Sequence, residues 1–169
     1  MSVELDDEQP EPVPHARLRR LAEHVLEAEG VPSTMDLAVR CVDAEVIAEL
    51  NIAHLDGEGP TDVLAFPLDH PDDVDPDADV PALLGDVVLC PAVARAQATA
   101  GITAELELLL VHGVLHLLGH DHAEDDERQV MQARTAALLE AFRAVEGQPG
   151  DHADDAPAAS SPREGRAEA

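Results

Sequence analysis

The sequence has 169 residues, of which 36 are acidic and ten are arginine; there is no lysine, and the formal net charge is −26. With 45% hydrophobic residues the chain can form one folded domain, which excludes a chain that is disordered throughout. Two phenylalanines and the lack of tyrosine and tryptophan exclude aromatic stacking platforms for bases, and the negative charge repels nucleic acid at long range.

In the first third of the chain, hydrophobic periodicity predicts strands and helices in alternation. A short strand is expected over 2–5, and a proline cluster separates it from an amphipathic helix over 16–29. Residues 35–42 alternate between apolar and polar side chains, which is typical of a strand. Asp43 is expected to cap a helix over 43–53.

The remainder of the chain predicts two more strands and three more helices. The expected strands cover 62–66 and, beyond an Asp- and Pro-rich surface loop, 86–90 after Gly85. The expected helices follow in chain order: 91–100, 103–118 with Thr103 as its cap, and 124–145. This order predicts an α+β fold in a single domain, with a small mixed sheet of about four strands packed with about five helices.

Composition also predicts the domain limits and the location. We assign residues 1–147 to the folded domain and residues 148–169, rich in Gly, Pro, Ala and acids, to a disordered acidic tail. The N-terminus is acidic and no apolar run reaches 18 residues, so we expect neither a signal peptide nor a membrane span, and hence a cytoplasmic protein. Cys41 and Cys90 form no CxxC pattern and are expected to be buried, reduced thiols.

The segment VHGVLHLLGHDH at 111–122 carries the strongest chemical signal. His112 and His116 lie one helical turn apart on one face, and Gly119 permits a sharp turn that can return His122 over that face. Three imidazoles can bind one tetrahedral Zn²⁺ and leave its fourth position to water, as in catalytic sites. The alternative, three histidines that only pack, would require a hydrogen-bond partner for each ring, which the flanking valines and leucines do not offer.

Histidines that follow the first one by four and ten residues, with a glycine seven residues after it, are also typical of the metzincin peptidases. Those enzymes use HExxH, in which the glutamate is the general base. Gly113 occupies that position here and cannot accept a proton. The sequence therefore disfavours a peptidase.

The motif region resembles the YbeY endoribonucleases, also called rRNA maturation factors. HGVLHLLGHDH is similar to their HGxLHLxGxDH signature, and PTDVLAFP at 60–67 and LLGDVVLC at 83–90 are similar to two further blocks of that family. The similarity extends over about residues 3–145. The resemblance implies an α+β fold with a zincin-like site in which His112, His116 and His122 hold one Zn²⁺ per chain.

The resemblance also implies an activity and partners. It implies a single-strand-specific, zinc-dependent endoribonuclease that acts on the 16S rRNA precursor in 3′-end maturation and in ribosome quality control, in contact with proteins of the small ribosomal subunit. It places Asp86 near the metal, and Thr61 and Asp62 in the wall of the cleft. Zinc-bound water would supply the attacking hydroxide, and Asp86 is our candidate for a carboxylate that orients a histidine or that water.

Several positions leave alternatives open. Leu55 stands where many family members have an arginine that is thought to engage RNA phosphate. His120 stands where the family often has tyrosine; it either provides a fourth nitrogen near the metal or is a residue of the surface loop. Asp86, Thr61 and Asp62 equally suit turns and caps. Glu105 shares the face of His112 but also suits the first turn of a helix.

A second function stays open beside the enzyme. It is a non-catalytic ribosome assembly factor that uses zinc only to stabilise its fold. The acidic charge suits docking to basic ribosomal proteins better than it suits binding to bare RNA.

Overall fold

A mixed four-stranded sheet forms the centre of the computed structural model, which describes residues 1–55 and 57–150. The strands, in chain order, are Val3–Asp7 (β1), Met35–Cys41 (β2), Val63–Pro67 (β3) and Ala82–Leu89 (β4). In space their order is β1-β2-β4-β3, with β1, β2 and β4 parallel and β3 antiparallel to β4. Alternate residues of β2 are buried, as its apolar and polar alternation predicts.

Five α-helices surround the sheet in the described ranges. They are His15–Ala28 (α1), Ala44–Leu55 (α2), Pro91–Gln97 (α3), Ile102–Leu117 (α4) and Asp125–Glu146 (α5). A short 3-10 helix, Pro71–Asp73, lies in the acidic loop before β4. The Asp43 carboxylate accepts a hydrogen bond from the Val46 amide at 2.9 Å, which confirms the predicted cap of α2. The predicted α+β class is confirmed.

The helices cover the two faces of the sheet unequally. On one face, α1, α4 and α5 contribute most of the large apolar core together with the inward side chains of β2 and β4. On the other face a smaller cluster, formed by residues such as Ile47, Leu64 and Val88, packs beneath α2. This arrangement puts the histidine-bearing helix α4 directly on the sheet, against β3 and β4.

The last strand begins earlier than the sequence predicts. The expected strand started at 86, directly after Gly85, whereas β4 starts at Ala82 and runs through Gly85. Gly85 has a φ of +151°, and a Cβ there would lie 2.4 Å from the Phe66 carbonyl oxygen of β3. The glycine is therefore required by the close approach of two paired strands, and it lies inside the strand rather than before it.

The junction between α3 and α4 also differs from the prediction. The helix expected to reach residue 100 ends at Gln97, and α4 begins at Ile102 after Gly101, whose φ is +92°. Thr103 lies inside the first turn and does not cap it, because the chain enters α4 one residue earlier than expected.

No single helix in the described ranges is long and apolar enough to cross a membrane. Only α3 and α4 taken together pass that test of length and composition, and they meet at a bend of 116°. Of the predicted acidic tail, residues 151–169 lie outside the described part of the chain.

Candidate metal centre

The end of α4 turns the chain back over its own last turn. The Gly119 amide donates to the His116 carbonyl at 3.0 Å and the His120 amide donates to the Leu115 carbonyl at 3.0 Å, the paired bonds of a Schellman motif. Gly119 has a φ of +96°, a conformation that this motif requires and that other residues rarely adopt. The turn sends the following loop across the face that carries His112 and His116.

The three predicted ligands come together at this turn. His112 Nε2 and His116 Nε2 are 3.0 Å apart, and one ring nitrogen from each of His112, His116 and His122 lies within 4.8 Å of the others. Two nitrogens bound to one tetrahedral zinc at about 2.1 Å are about 3.4 Å apart, so small side-chain rotations suffice for all three to bind one ion. Among the described residues this is the group of histidine, cysteine and acidic side chains that can hold a metal ion.

The surroundings favour the neutral form of His112 and His116. Burial lowers the pKa of His112 to about 4, with smaller contributions from the charges of His116 and His122, while the Asp62 carboxylate acts in the opposite direction. Burial also lowers the pKa of His116, and a hydrogen bond between its ring and the His120 backbone opposes that change. Neutral rings have the free lone pairs that a metal ion needs.

Gly113, where peptidases carry their glutamate, faces the sheet. A Cβ at this position would lie 2.6 Å from Cγ1 of Val87 on β4 and 3.3 Å from Cγ2 of Val63 on β3. A glutamate therefore has no room here, and the close packing of α4 on the sheet accounts for the glycine.

A large cleft opens beside the histidines. It has a volume of about 1150 Å³ and lies between α4 and α5, with His112, His122 and Asp62 among the residues that line it. Much of the lining is apolar, including Leu108, Leu109, Met131 and Leu139. An ion held by the imidazoles would thus meet a cavity of the size that ligand sites have.

Asp62, one of the two predicted cleft residues, lies at this cavity and is held by several bonds. Its carbonyl accepts from the Cys90 amide at 2.9 Å, and its carboxylate accepts from Gln97 Nε2 at 2.6 Å. The same Gln97 amide also donates to Glu105 Oε1 at 3.0 Å, and Glu105 too lines the cleft. Thr61 donates its hydroxyl to the Asp62 carboxylate at 3.4 Å but is not among the lining residues. Sequence reasoning did not find Gln97, since nothing in its sequence neighbourhood marks it.

The structure does not bring Asp86 to the imidazoles. Asp86 is paired with Phe66 on the neighbouring strand, and Phe66 packs in the cluster beneath α2. Val87, the next residue, points to the opposite face, where it meets Gly113 of α4. Asp86 therefore faces away from α4, and its role near the metal stays a prediction that the strand geometry does not support.

The structure also describes the two positions at which the sequence departs from the family pattern, His120 and Leu55. His120 is not part of the three-histidine group, and its backbone contributes to the turn after α4. Leu55 is the last residue of α2 and is 49% exposed.

A buried ion network anchors the middle of α4. Glu107 is fully buried and accepts from Nε of Arg17 on α1 at 3.2 Å and from Nε of Arg143 on α5 at 3.4 Å. Arg17, also fully buried, donates to the Gly147 carbonyl at 2.7 Å and lies over the Phe142 ring. The network ties both neighbouring helices to α4 and so holds the cleft walls in place.

Comparison with known proteins agrees with this architecture. A family profile described as "Endoribonuclease YbeY" matches residues 4–143. A protein of that name from Acidothermus cellulolyticus is 46% identical over 162 residues, which cover 89% of this chain and 98% of the relative. Another from Salinispora tropica is 46% identical over 154 residues, covering 86% and 98%.

A solved structure supports the fold. A solution structure of a Thermotoga maritima protein matches with a TM-score of 0.54 and 23% identity, over 89% of this chain and 99% of that one. At this identity the likeness concerns the fold alone. The profile and the relatives, which extend over nearly the whole described part, show that the chain belongs to the YbeY endoribonuclease family.

Proposed function

We propose that this protein is a single-strand-specific, zinc-dependent endoribonuclease of the cytoplasm. Its proposed substrate is the precursor of 16S rRNA, in maturation of the 3′ end and in ribosome quality control, with proteins of the small ribosomal subunit as further partners. The observation that carries the proposal is the convergence of three imidazoles beside a cleft that can admit a substrate.

The donor set fits zinc better than a hard cation. Three imidazole nitrogen donors with no carboxylate among them suit Zn²⁺, whereas Mg²⁺ and Ca²⁺ prefer oxygen ligands. His112, His116 and His122 would hold the ion, and a zinc ion so bound polarises phosphoryl oxygens and lowers the pKa of water towards neutrality.

The residues of the chain itself position the metal ligands and shape the cleft. The turn at Gly119 returns His122 over the face of α4 that carries the other two ligands, and the Gln97 amide holds the Asp62 carboxylate at the cleft wall. We propose Asp62 as a cleft residue that contacts the substrate or its attacking water, and Thr61 as the group that donates to Asp62. The role of Asp86 as an orienting carboxylate stays our least supported assignment.

The test is cleavage of single-stranded RNA by the purified protein, with and without a chelator, alongside quantification of bound metal. We expect about one zinc per chain, cleavage that a chelator stops, and no cleavage of duplex RNA. His116→Ala should lose both zinc and cleavage. His70→Ala, which changes an exposed histidine in the acidic loop, is the matched control and should retain both.

The alternative, an assembly factor that uses zinc only for its fold, predicts a different pattern. In that case the zinc-loaded wild type would not cut any single-stranded RNA, and His116→Ala would unfold. Cleavage by the wild type together with a folded, inactive His116→Ala variant would reject it.

A further inference from the structure

Almost every arginine in the described ranges is engaged by a carboxylate. The chain has ten arginines and no lysine, and eight arginines lie in the described part. Six of them have a carboxylate oxygen within 4.0 Å: Arg17, Arg20, Arg40, Arg95, Arg134 and Arg143. For the other two, Arg19 and Arg128, the described residues provide no such partner.

The two arginines without a carboxylate partner differ in position. Arg19 lies on the exposed side of α1 and does not line the cleft, whereas Arg128 lies in the second turn of α5 and lines the cleft with His112 and His122. Arg128 is exposed, so its guanidinium is available to a ligand that enters the cleft.

Arg128 lies at the histidine end of this cleft. It follows His122 by six residues, while the other cleft arginine, Arg143, lies 15 residues further along α5, or about 22 Å along the helix axis. Arg143 is in addition bound to the buried Glu107 carboxylate. Within residues 1–55 and 57–150, the histidine end of the cleft therefore has one cationic side chain that is free to bind an anion.

This position matters because the rest of the molecule repels RNA. The net charge is −26, and Asp62, Glu105 and Glu140 add negative charge to the cleft lining itself. A phosphodiester that approaches the histidines must be stabilised locally, and a guanidinium with its planar set of donors is the side chain best suited to bind phosphate oxygens.

We propose that Arg128 is a substrate-contacting residue that binds a phosphate of single-stranded RNA beside the three-histidine site. The inference rests on the proposed function for the identity of its ligand, but it concerns binding and is measurable without cleavage. Asp125, Asp126 and Glu127 on the first turn of α5 do not pair with Arg128, so the RNA phosphate replaces no existing ion pair of this residue.

The experiment compares the zinc-loaded full-length wild type with Arg128→Ala, Arg128→Lys and Arg19→Ala. Arg19→Ala is the matched control, since it removes the same charge from an exposed helical position outside the cleft. Stopped-flow anisotropy of a labelled single-stranded RNA gives Kd before cleavage, at several salt concentrations. Steady-state cleavage then gives KM and kcat.

We expect Arg128→Ala to raise Kd and KM about tenfold with little change in kcat, because a contact present in both ground and transition states is lost. The slope of log Kd against log salt should fall by about 0.7, the value for one phosphate contact on a single strand. Arg128→Lys should restore the slope, and Arg19→Ala should match the wild type.

The outcomes separate this inference from the proposed function. Equal Kd values for the wild type and Arg128→Ala, an equal effect of Arg19→Ala, or no RNA binding by the wild type would overturn the inference. RNA binding that depends on Arg128 without any cleavage would support it and reject the nuclease. RNA cleavage whose KM is unchanged in Arg128→Ala would overturn the inference and support the nuclease.

Discussion

The contact between α4 and the sheet can be tested by adding one methyl group at Gly113. In Gly113→Ala the new Cβ would lie 2.6 Å from Cγ1 and 3.2 Å from Cγ2 of Val87, and 3.3 Å from Val63 Cγ2. Carbon atoms prefer separations of about 3.5–4.0 Å, so α4 or β4 must move by about 1 Å. Val87 is fully buried, and its β-branched side chain is restricted in rotation about χ1, which limits relief of the collision by that side chain.

Two opposing effects set the size of the change. Alanine is more favourable than glycine inside a helix by about 1 kcal/mol. Overpacking of a dense core costs about 1–3 kcal/mol, and a collision with three methyl groups belongs at the upper end of that range. We expect a net loss of about 2 kcal/mol in the free energy of unfolding and a fall in Tm of about 6 °C.

Urea unfolding of single and double variants measures this effect. Val87→Ala removes the two nearest methyl groups, so the cost of Gly113→Ala should largely vanish in that background, a coupling of about 2 kcal/mol. Val88→Ala removes a buried valine of the same strand on the opposite face, and there the two changes should add. The reasoning is refuted if Gly113→Ala is as stable as the wild type, or if its cost is the same in both valine backgrounds.

Three further predictions follow from the site and its supports. His116→Ala should lower the zinc affinity more than about 100-fold, because removing a ligand costs more than removing a residue that only hydrogen-bonds to a ligand. Competition with a chromophoric chelator measures the affinity, and an unchanged value would contradict the site. Glu107→Gln should lower the free energy of unfolding by about 3–5 kcal/mol in urea, because it removes the buried carboxylate charge that pairs with Arg17 and Arg143, whereas Glu124→Gln at the exposed start of α5 should have little effect. Burial, assisted by Asp7, raises the pKa of the Cys41 thiol from 9.0 to about 12, so the unfolded chain loses this proton first. The contribution of Cys41 to stability should then be constant below pH 9 and fall by about 1.4 kcal/mol per pH unit above it. The chain has no lysine or tyrosine to titrate in this range, so Cys41→Ala should show a shallower fall; identical slopes for the two proteins would contradict the assignment.

The metal centre could be read from the sequence because its geometry is local. His112 and His116 are related by one turn of a single helix, and Gly119 marks the turn that returns His122. No contact between distant segments is needed to specify that arrangement. The periodicity of strands and helices was equally local, and the predicted fold class is confirmed for that reason.

The features that were missed depend on contacts between distant segments. Whether Gly85 ends or continues a strand is decided by the Phe66 carbonyl on β3, and the face to which Asp86 points follows from its pairing with the same strand. The cleft forms only where α5 packs beside α4. Gln97 hydrogen-bonds to Asp62, 35 residues before it in the sequence, and to Glu105, eight residues after it. Composition and spacing contain no information on such pairings.

All three imidazoles lie in one short segment of the chain, which limits how much a bound ion can stabilise the fold. His112 and His116 are already fixed by α4, so an ion would newly fasten only the loop that ends at His122. Cross-links that close short loops remove little chain entropy, and those that hold a fold together usually join distant segments. Loss of the ion should therefore loosen the chain after Leu118 while the sheet and α1 stay folded, and the protein should survive zinc starvation in a form that can be reloaded without refolding.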